Sequence, residues 1–198
     1  MTEGTESRDD RAHWTARYAE RGPELERAPS AWVIDRCRGL PPDATIIDLA
    51  GGTGRHAAAL AREGRRAIVV DFVPRAVVEA VSRHPGVTGI AADARALPLR
   101  TGSIDAILCV SFLDRSIFPV LAAALRRGGM LVYETFTVAH LEVVARGRAR
   151  GPRNAAYLLH AGELPRLVAP LEVQEHEERL IVDGAGERHV ARVMAVRR

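Results

Sequence analysis

The sequence predicts an α/β fold: three layers built on a mostly parallel seven-stranded sheet, closed by a C-terminal antiparallel hairpin. Three observations carry this prediction. Short apolar runs alternate with helical patterns from residue 44 to residue 136, the order that builds a parallel sheet covered on both faces. A small-residue loop, Ala50-Gly51-Gly52-Thr53-Gly54, joins the first strand to the first helix of that series. Two long strand-like runs near the C-terminus flank Asp183-Gly184-Ala185-Gly186, as a hairpin turn would.

Taken in order, residues 11–21 and 31–38 read as two helices ahead of the sheet. Gly22-Pro23 separates them, Ser30 is placed to cap the second, and together they suit a lid. After Pro41-Pro42, residues 45–49 form a short apolar strand, and residues 55–62 a helix with Ala57, Ala58, Leu60 and Ala61 on its apolar side. Residues 67–71 give the second strand. Pro74 then opens a helix whose predicted apolar stripe is Val77, Val78 and Val81, ended by His84-Pro85-Gly86. Strands three, four and five fall at 87–91, 104–110 and 130–136, the last entered through Gly128-Gly129. The helix before strand five is expected to start near Pro119 and to include Val120, Leu121 and Leu125. Beyond strand five the pattern is irregular and rich in Arg and Gly up to Gly162. A short helix at 163–168 and strands at 171–182 and 188–196 complete the set.

At 198 residues the chain is long enough for one three-layer core and short for two domains plus linkers. A single domain over 1–198 is therefore expected, with 1–40 as a helical lid, 44–136 as the ligand-binding core and 137–198 as a substrate-side loop and hairpin. The apolar share of 47% and charged share of 27% are those of a globular protein, and the apolar runs are too short to cross a bilayer. Residues 1–12 lack the apolar stretch of a secretory signal, so the expected location is the cytoplasm. Cys37 and Cys109 form no CxxC pair, and neither a disulfide framework nor a metal site is indicated. All 28 basic residues are Arg, and the net charge is only +3. Arg146, Arg148, Arg150 and Arg153 form the densest patch, but without interleaved aromatics it does not read as a nucleic-acid surface. Oligomeric state is not legible.

The strongest chemistry lies around the glycine loop. Strand one delivers Asp48 to the carboxyl end of the sheet, and the small residues after it let a ligand approach the backbone. The helix that follows points free N–H groups and a positive dipole end into the same crevice, favouring a carboxylate or phosphate. Asp71 ends strand two, 23 residues after Asp48, where a carboxylate can accept from both hydroxyls of a ribose. Ala50 is expected to keep a negative φ because it carries a Cβ.

These pieces resemble the class I S-adenosylmethionine (SAM)-dependent methyltransferases. Ile46 to Gly54 is similar to their first motif and Val69-Val70-Asp71-Phe72 to their second-strand acid. Ala91-Ala92-Asp93-Ala94 with Leu97-Pro98, then Ser103 to Ile107 leading to Val110, then Leu125-Arg126-Arg127-Gly128-Gly129, follow in order. The resemblance implies a Rossmann-like methyltransferase fold, SAM as cofactor and a small-molecule methyl acceptor as partner. It places Asp48, Ala50, Gly51, Gly52 and Gly54 at the methionine end, Asp71 at the ribose, Phe72 against adenine, and Asp93 and Ala94 at the adenine amino group, with Val110 at the end of strand four. Trp14, Arg17 and Tyr18, with Tyr133-Glu134-Thr135-Phe136 and the segment from Asn154 to Leu164, resemble small methyltransferases of the tellurite-resistance type. In that likeness the three N-terminal residues cover the cofactor.

Two other readings share parts of this pattern. Gly52-Thr53-Gly54 followed by Ala57 also satisfies a relaxed NAD(P)-binding fingerprint, although Asp48 would crowd a pyrophosphate and no second catalytic domain is present to complete an oxidoreductase. A non-catalytic SAM-binding module would keep the loop without an acceptor pocket. For an enzyme, the acceptor is expected above strands four and five, among Phe112, Asp114, Tyr133, Glu134, His140, Arg153 and Asn154. Tyr133 and Glu134 alternate across a strand, so at most one faces a given side. His140 is the candidate proton acceptor, Arg153 the candidate anion holder, and Asn154, the only Asn in the chain, a candidate hydrogen-bonding residue.

Overall fold

The computed structural model describes residues 12, 14–16, 18, 28–148, 151–183 and 186–198. Its elements are α1 (Ala31–Cys37), β1 (Thr45–Leu49), α2 (Arg55–Arg62), β2 (Arg66–Asp71), α3 (Pro74–Arg83), β3 (Val87–Ala91), β4 (Ile104–Val110), α4 (Phe118–Ala124), β5 (Leu125–Phe136), α5 (His140–Ala145), α6 (Glu163–Leu167), β6 (Glu172–Asp183) and β7 (Gly186–Val196). The strands form one seven-stranded sheet in the order β3-β2-β1-β4-β5-β7-β6. The first five are parallel, and β7 pairs antiparallel with both β5 and β6. The α/β fold with a C-terminal hairpin is thus as the sequence predicts. Two of the residues expected at the hairpin turn, 184 and 185, lie outside the described residues, as does most of the helix expected at 11–21.

The central strands are buried on both faces, so their sequences are almost continuously apolar. On one face Val33, Ile34 and Cys37 of α1, Ala57, Ala58 and Leu60 of α2 and Ala80 of α3 pack on Ile46, Val69, Leu108 and Val132. On the other, Phe118 and Leu121 of α4 and Leu164 of α6 pack on Ile47, Ile107, Leu131 and Tyr133. Among the described residues, no helix is long and apolar enough to cross a membrane.

Several local readings are corrected. In α3 the buried residues are Ala76, Val77 and Ala80, whereas Val78 is 67% and Val81 43% exposed. The helix begins at Pro74 as expected, but a 100° step per residue turns Val78 away from the sheet when Ala76 and Ala80 face it, while Val81 reaches Gly89 of β3 with one methyl and is otherwise exposed. The small alanines let α3 sit close to β2 and β3. Strand β5 starts at Leu125, so that residue belongs to the sheet, paired with Ile104 across an irregularity in register. Val120 of α4 is 37% exposed. Ser30 occupies the N-cap of α1 without capping it, because its hydroxyl is committed to Glu134.

Candidate functional site

Strand order reverses between β1 and β4, and in an open α/β sheet the crevice at such a reversal, beyond the carboxyl ends of the strands, is where ligands bind. Period-two alternation decides what faces that crevice from the α1–α3 side. Asp48 lies two residues after Ile46, Asp71 two after Val69, Val110 two after Leu108 and Glu134 two after Val132, each on the same face as its apolar predecessor. Three acids and a valine thereby end four neighbouring strands on one face.

Asp48 is 1% exposed. Its Oδ2 accepts the Ala57 N–H at 3.1 Å, so it satisfies one of the free donors in the first turn of α2 from beneath the loop. Burial pushes its carboxyl up to about 6, against the Ala57 bond and the nearby Arg55 charge. The loop above it turns sharply. Ala50 has φ +51°, not the negative value expected of a residue with a Cβ. Pairing Leu49 in the sheet while bringing Gly51 against Asp48 leaves the chain no room to turn otherwise: a Cβ on Gly51 would lie 2.8 Å from both Asp48 Cγ and the Asp48 carbonyl oxygen. Gly52 and Gly54 also have positive φ, where glycine carries no steric penalty.

Asp71, 5% exposed, accepts the Gly52 N–H on Oδ2 and the Val73 N–H on Oδ1, each at 2.9 Å. Burial raises its pKa, and these main-chain bonds oppose the rise. The Phe72 main-chain N–H also bonds this carboxylate, and with two acceptor positions per oxygen the group still keeps one for a further donor. Phe72, next in sequence, is half-buried, as is Asp93, which caps the turn Ala94–Ala96 by accepting from Arg95 N. Ala94 and Val110 are buried. Above the loop stands Tyr18: a Cβ on Gly52 would collide with its hydroxyl. Trp14 packs on Tyr18 with ring centroids 6.1 Å apart, as four-residue spacing on a helix allows. Arg17 lies outside the described residues.

The acceptor candidates divide. Phe112 and Asp114 follow β4 and are partly exposed, with Asp114 capping Arg115–Ile117 and pairing with Arg95 at 2.6 Å. Tyr133 faces the other way: fully buried, it packs on Phe118 and donates its hydroxyl to the Phe112 carbonyl at 2.8 Å. Glu134 is 4% exposed and its carboxylate pairs with Arg192 at 2.7 Å. His140 is also fully buried. Its Nδ1 accepts from His189 N at 3.3 Å, which puts the proton of the neutral ring on Nε2. That nitrogen has no hydrogen-bond partner among the described residues, and Gly151 packs directly against it. Burial, then His189 and Arg188, lowers the His140 pKa. In this arrangement His140 is a covered donor, whereas a proton acceptor needs a free, accessible lone pair. Arg153 and Asn154 are exposed, and the Asn154 side chain accepts from Ala156 N. Among the described residues no group of three or more His, Cys, Asp or Glu side chains is placed to hold a metal ion.

Four further residues emerge only in the structure. His56 accepts the Ser30 N–H, and Arg192 holds Glu134. Ser111, at φ +60°, follows β4 as Ala50 follows β1, so the two non-glycine left-handed residues among the described residues flank the reversal point. Arg115 grips Glu163 at 2.6 and 3.0 Å and the carbonyls of Ala156 and Leu158, fixing residues 154–163 near the crevice. The lone His in an alanine-rich helix right after the glycine loop is the one legible signal among them.

The antiparallel β7 between β5 and β6 departs from the all-parallel 3-2-1-4-5-6 order of dinucleotide-binding dehydrogenases. Residues 46–129 match a family model described as a methyltransferase domain. The chain is 36% identical over 105 residues to a demethylmenaquinone methyltransferase of Beutenbergia cavernae, an overlap covering 50% of this chain and 43% of that one. With a second such enzyme, from Clavibacter sepedonicus, identity is 32% over 127 residues, or 59% of this chain and 51% of the relative. The chain thus spans about half the length of the curated relatives it matches. Among solved structures, a SAM-dependent methyltransferase from Methanosarcina mazei superposes with a TM-score of 0.69 at 18% identity, covering 86% of this chain and 99% of that one. By its domain match over residues 46–129 and its sheet topology, the chain is similar to SAM-dependent methyltransferases in its core and shares their fold.

Proposed function

We propose that the protein transfers the methyl group of SAM to a small-molecule acceptor, leaving S-adenosylhomocysteine. The observation that carries this reading is Asp71: a buried carboxylate at the carboxyl end of β2, bonded to the glycine loop and keeping acceptor capacity for a ribose hydroxyl. Phe72 and the Asp93-Ala94 turn stand where adenine would extend from that ribose. The Gly51–Gly54 backbone and the start of α2 suit the amino-acid carboxylate, with Asp48 beneath them supplying negative charge for the ammonium. Tyr18, with Trp14 packed on it, covers the loop. On this reading residues 1–40 are the lid, 44–136 the cofactor core and 137–198 the acceptor side of a single domain working in the cytoplasm.

A sulfonium supplies an already activated methyl group, so the protein's task is to align the acceptor lone pair behind that carbon and to exclude water. Phe112 and Ser111 border the crevice at β4. Asp114, Arg153 and Asn154 form its polar margin and Glu134 faces it from β5, while Tyr133 and His140 lie buried in the core. The demethylmenaquinone methyltransferases matched by sequence make small quinol-type aromatics the first acceptors to test.

Titration calorimetry with SAM tests the cofactor assignment. Asp71→Ala should weaken binding by tenfold or more, about 1.5–3 kcal/mol for lost charged hydrogen bonds. Unchanged affinity overturns the ribose role. Radiolabelled methyl transfer to quinols, thiols and metabolite extracts tests the catalytic reading. Binding without transfer to any of them would favour a non-catalytic module.

A further inference from the structure

Among the described residues, a single buried side-chain polar atom lacks a hydrogen-bond partner: Nε2 of His140. The other ring nitrogen is occupied, since Nδ1 accepts the His189 N–H at 3.3 Å, so Nε2 carries the proton of the neutral ring and is a donor without an acceptor. Leaving a buried donor unpaired is costly, and a folded protein that keeps one calls for a reason. The surroundings are apolar. The Phe136 ring lies 4.6 Å from the imidazole between centroids, and Phe136, Leu158 and Val190 form a small cluster separate from the two large ones, with Val138 and Ile181 packed against it. Phe136 ends β5 two residues after Glu134 and on the same face of the strand, which places the cluster beside the acceptor side of the crevice.

What covers the donor is Gly151. A Cβ there would lie 2.3 Å from Nε2 and 3.0 Å from Cδ2, so the main chain can approach the ring this closely only at a glycine. Residues 151–153 make no main-chain hydrogen bond to another described residue, whereas the chain on either side is tied down. Gly147 and Arg148 bond back to Val144 and Val143, and Arg115 grips the carbonyls of Ala156 and Leu158. A short stretch held by packing alone opens locally at little cost. We propose that the His140 Nε2–H is the contact point for an oxygen of the methyl acceptor, reached when residues 151–153 lift off the ring. The inference rests on the small-molecule methyl-transfer reading given above and names the chemistry of the acceptor. Burial, then His189 and Arg188, keeps the ring neutral. A neutral N–H among apolar side chains suits the carbonyl or phenolic oxygen of an aromatic molecule. A phosphate or carboxylate would lose its hydration there without a charge to replace it.

NMR of the full chain with isotope-labelled histidine reads the Nε2–H directly. In the free chain this proton should resonate as an unbonded N–H and exchange with water faster than the amides of β5. Indanone or naphthol, added with S-adenosylhomocysteine in the cofactor site, should move it downfield, whereas indane, which lacks the oxygen, should not. His140→Asn keeps an acceptor for the His189 N–H and has no atom at the Nε2 position. It should weaken calorimetric binding of indanone and naphthol by about tenfold, while His140→Gln, whose amide reaches that position, should stay within about threefold of wild type. Gly151→Ala, whose methyl cannot lie against the ring, should speed exchange of the Nε2–H, and it carries the test if the Asn variant does not fold. A proton already hydrogen-bonded in the free chain, one that neither oxygen-bearing probe shifts, or wild-type probe affinity in the Asn variant overturns the inference. Failure of the wild-type chain to bind SAM overturns the methyl-transfer reading instead, and the same titration without S-adenosylhomocysteine then reads the His140 site by itself.

Discussion

Ala50 shows how a single residue reports on the site. An L-residue with a Cβ at φ +51° carries about 1–2 kcal/mol of local strain. Ala50→Gly should relieve it, less the added entropy of a more flexible unfolded chain, for a net gain of about 0.5–1 kcal/mol. A urea midpoint shifted upward at unchanged slope would register that gain, and a lower midpoint would show that the Ala50 methyl packs usefully. The sequence places Asp48, the glycines and Asp71 correctly at strand ends, because short strands and a glycine loop are local patterns. It misplaces the conformation of Ala50, because that φ is imposed from outside by the pairing of Leu49 and by Gly51 lying against Asp48.

Among elements, the turn Arg115–Ile117 and α6 are joined by one side chain. Arg115 binds Glu163 with both ends of its planar fork and also bonds two carbonyls, so four acceptors hold residues 154–163 in place. The Arg115 bond holds the Glu163 carboxyl below its usual pKa. The pair is partly exposed, with side-chain exposures of 37% and 15%. Arg115→Ala should therefore cost only about 1 kcal/mol of global stability, while amide exchange of residues 154–163 speeds up selectively. Arg115→Lys should not restore protection, since an ammonium cannot make the forked contact. Uniform exchange across the chain would show that the clamp has no local role. Such a contact, 48 positions apart in sequence, leaves no periodic trace. Element type is legible because helical and strand periodicities are local, yet the face an element buries is less so: α3 turns Val78 outward because its packed side is Ala76, Val77 and Ala80.

On the scale of the molecule, the proposed lid would bring the N-terminal segment over the sheet. Tyr18 rests against Gly52, and the segment's far end is pinned at Ser30 to both His56 and Glu134. Deleting residues 1–21 should speed cofactor release by about tenfold, roughly 1.4 kcal/mol of lost retention. Stopped-flow displacement would detect it, and an unchanged rate would remove the lid. The sequence by itself determined the α/β class, the strand series, the hairpin and the two acids beside the glycine loop, because each is written in local spacing and composition. The tertiary structure decided which candidates reach the crevice. Strand alternation turned Tyr133 into the core, the antiparallel β7 brought Arg192 to neutralise Glu134, and the seating of α1 gave His56 its partner. Those outcomes depend on groups far apart in the chain meeting across a sheet, and desolvation makes each buried polar group take whatever partner the fold supplies.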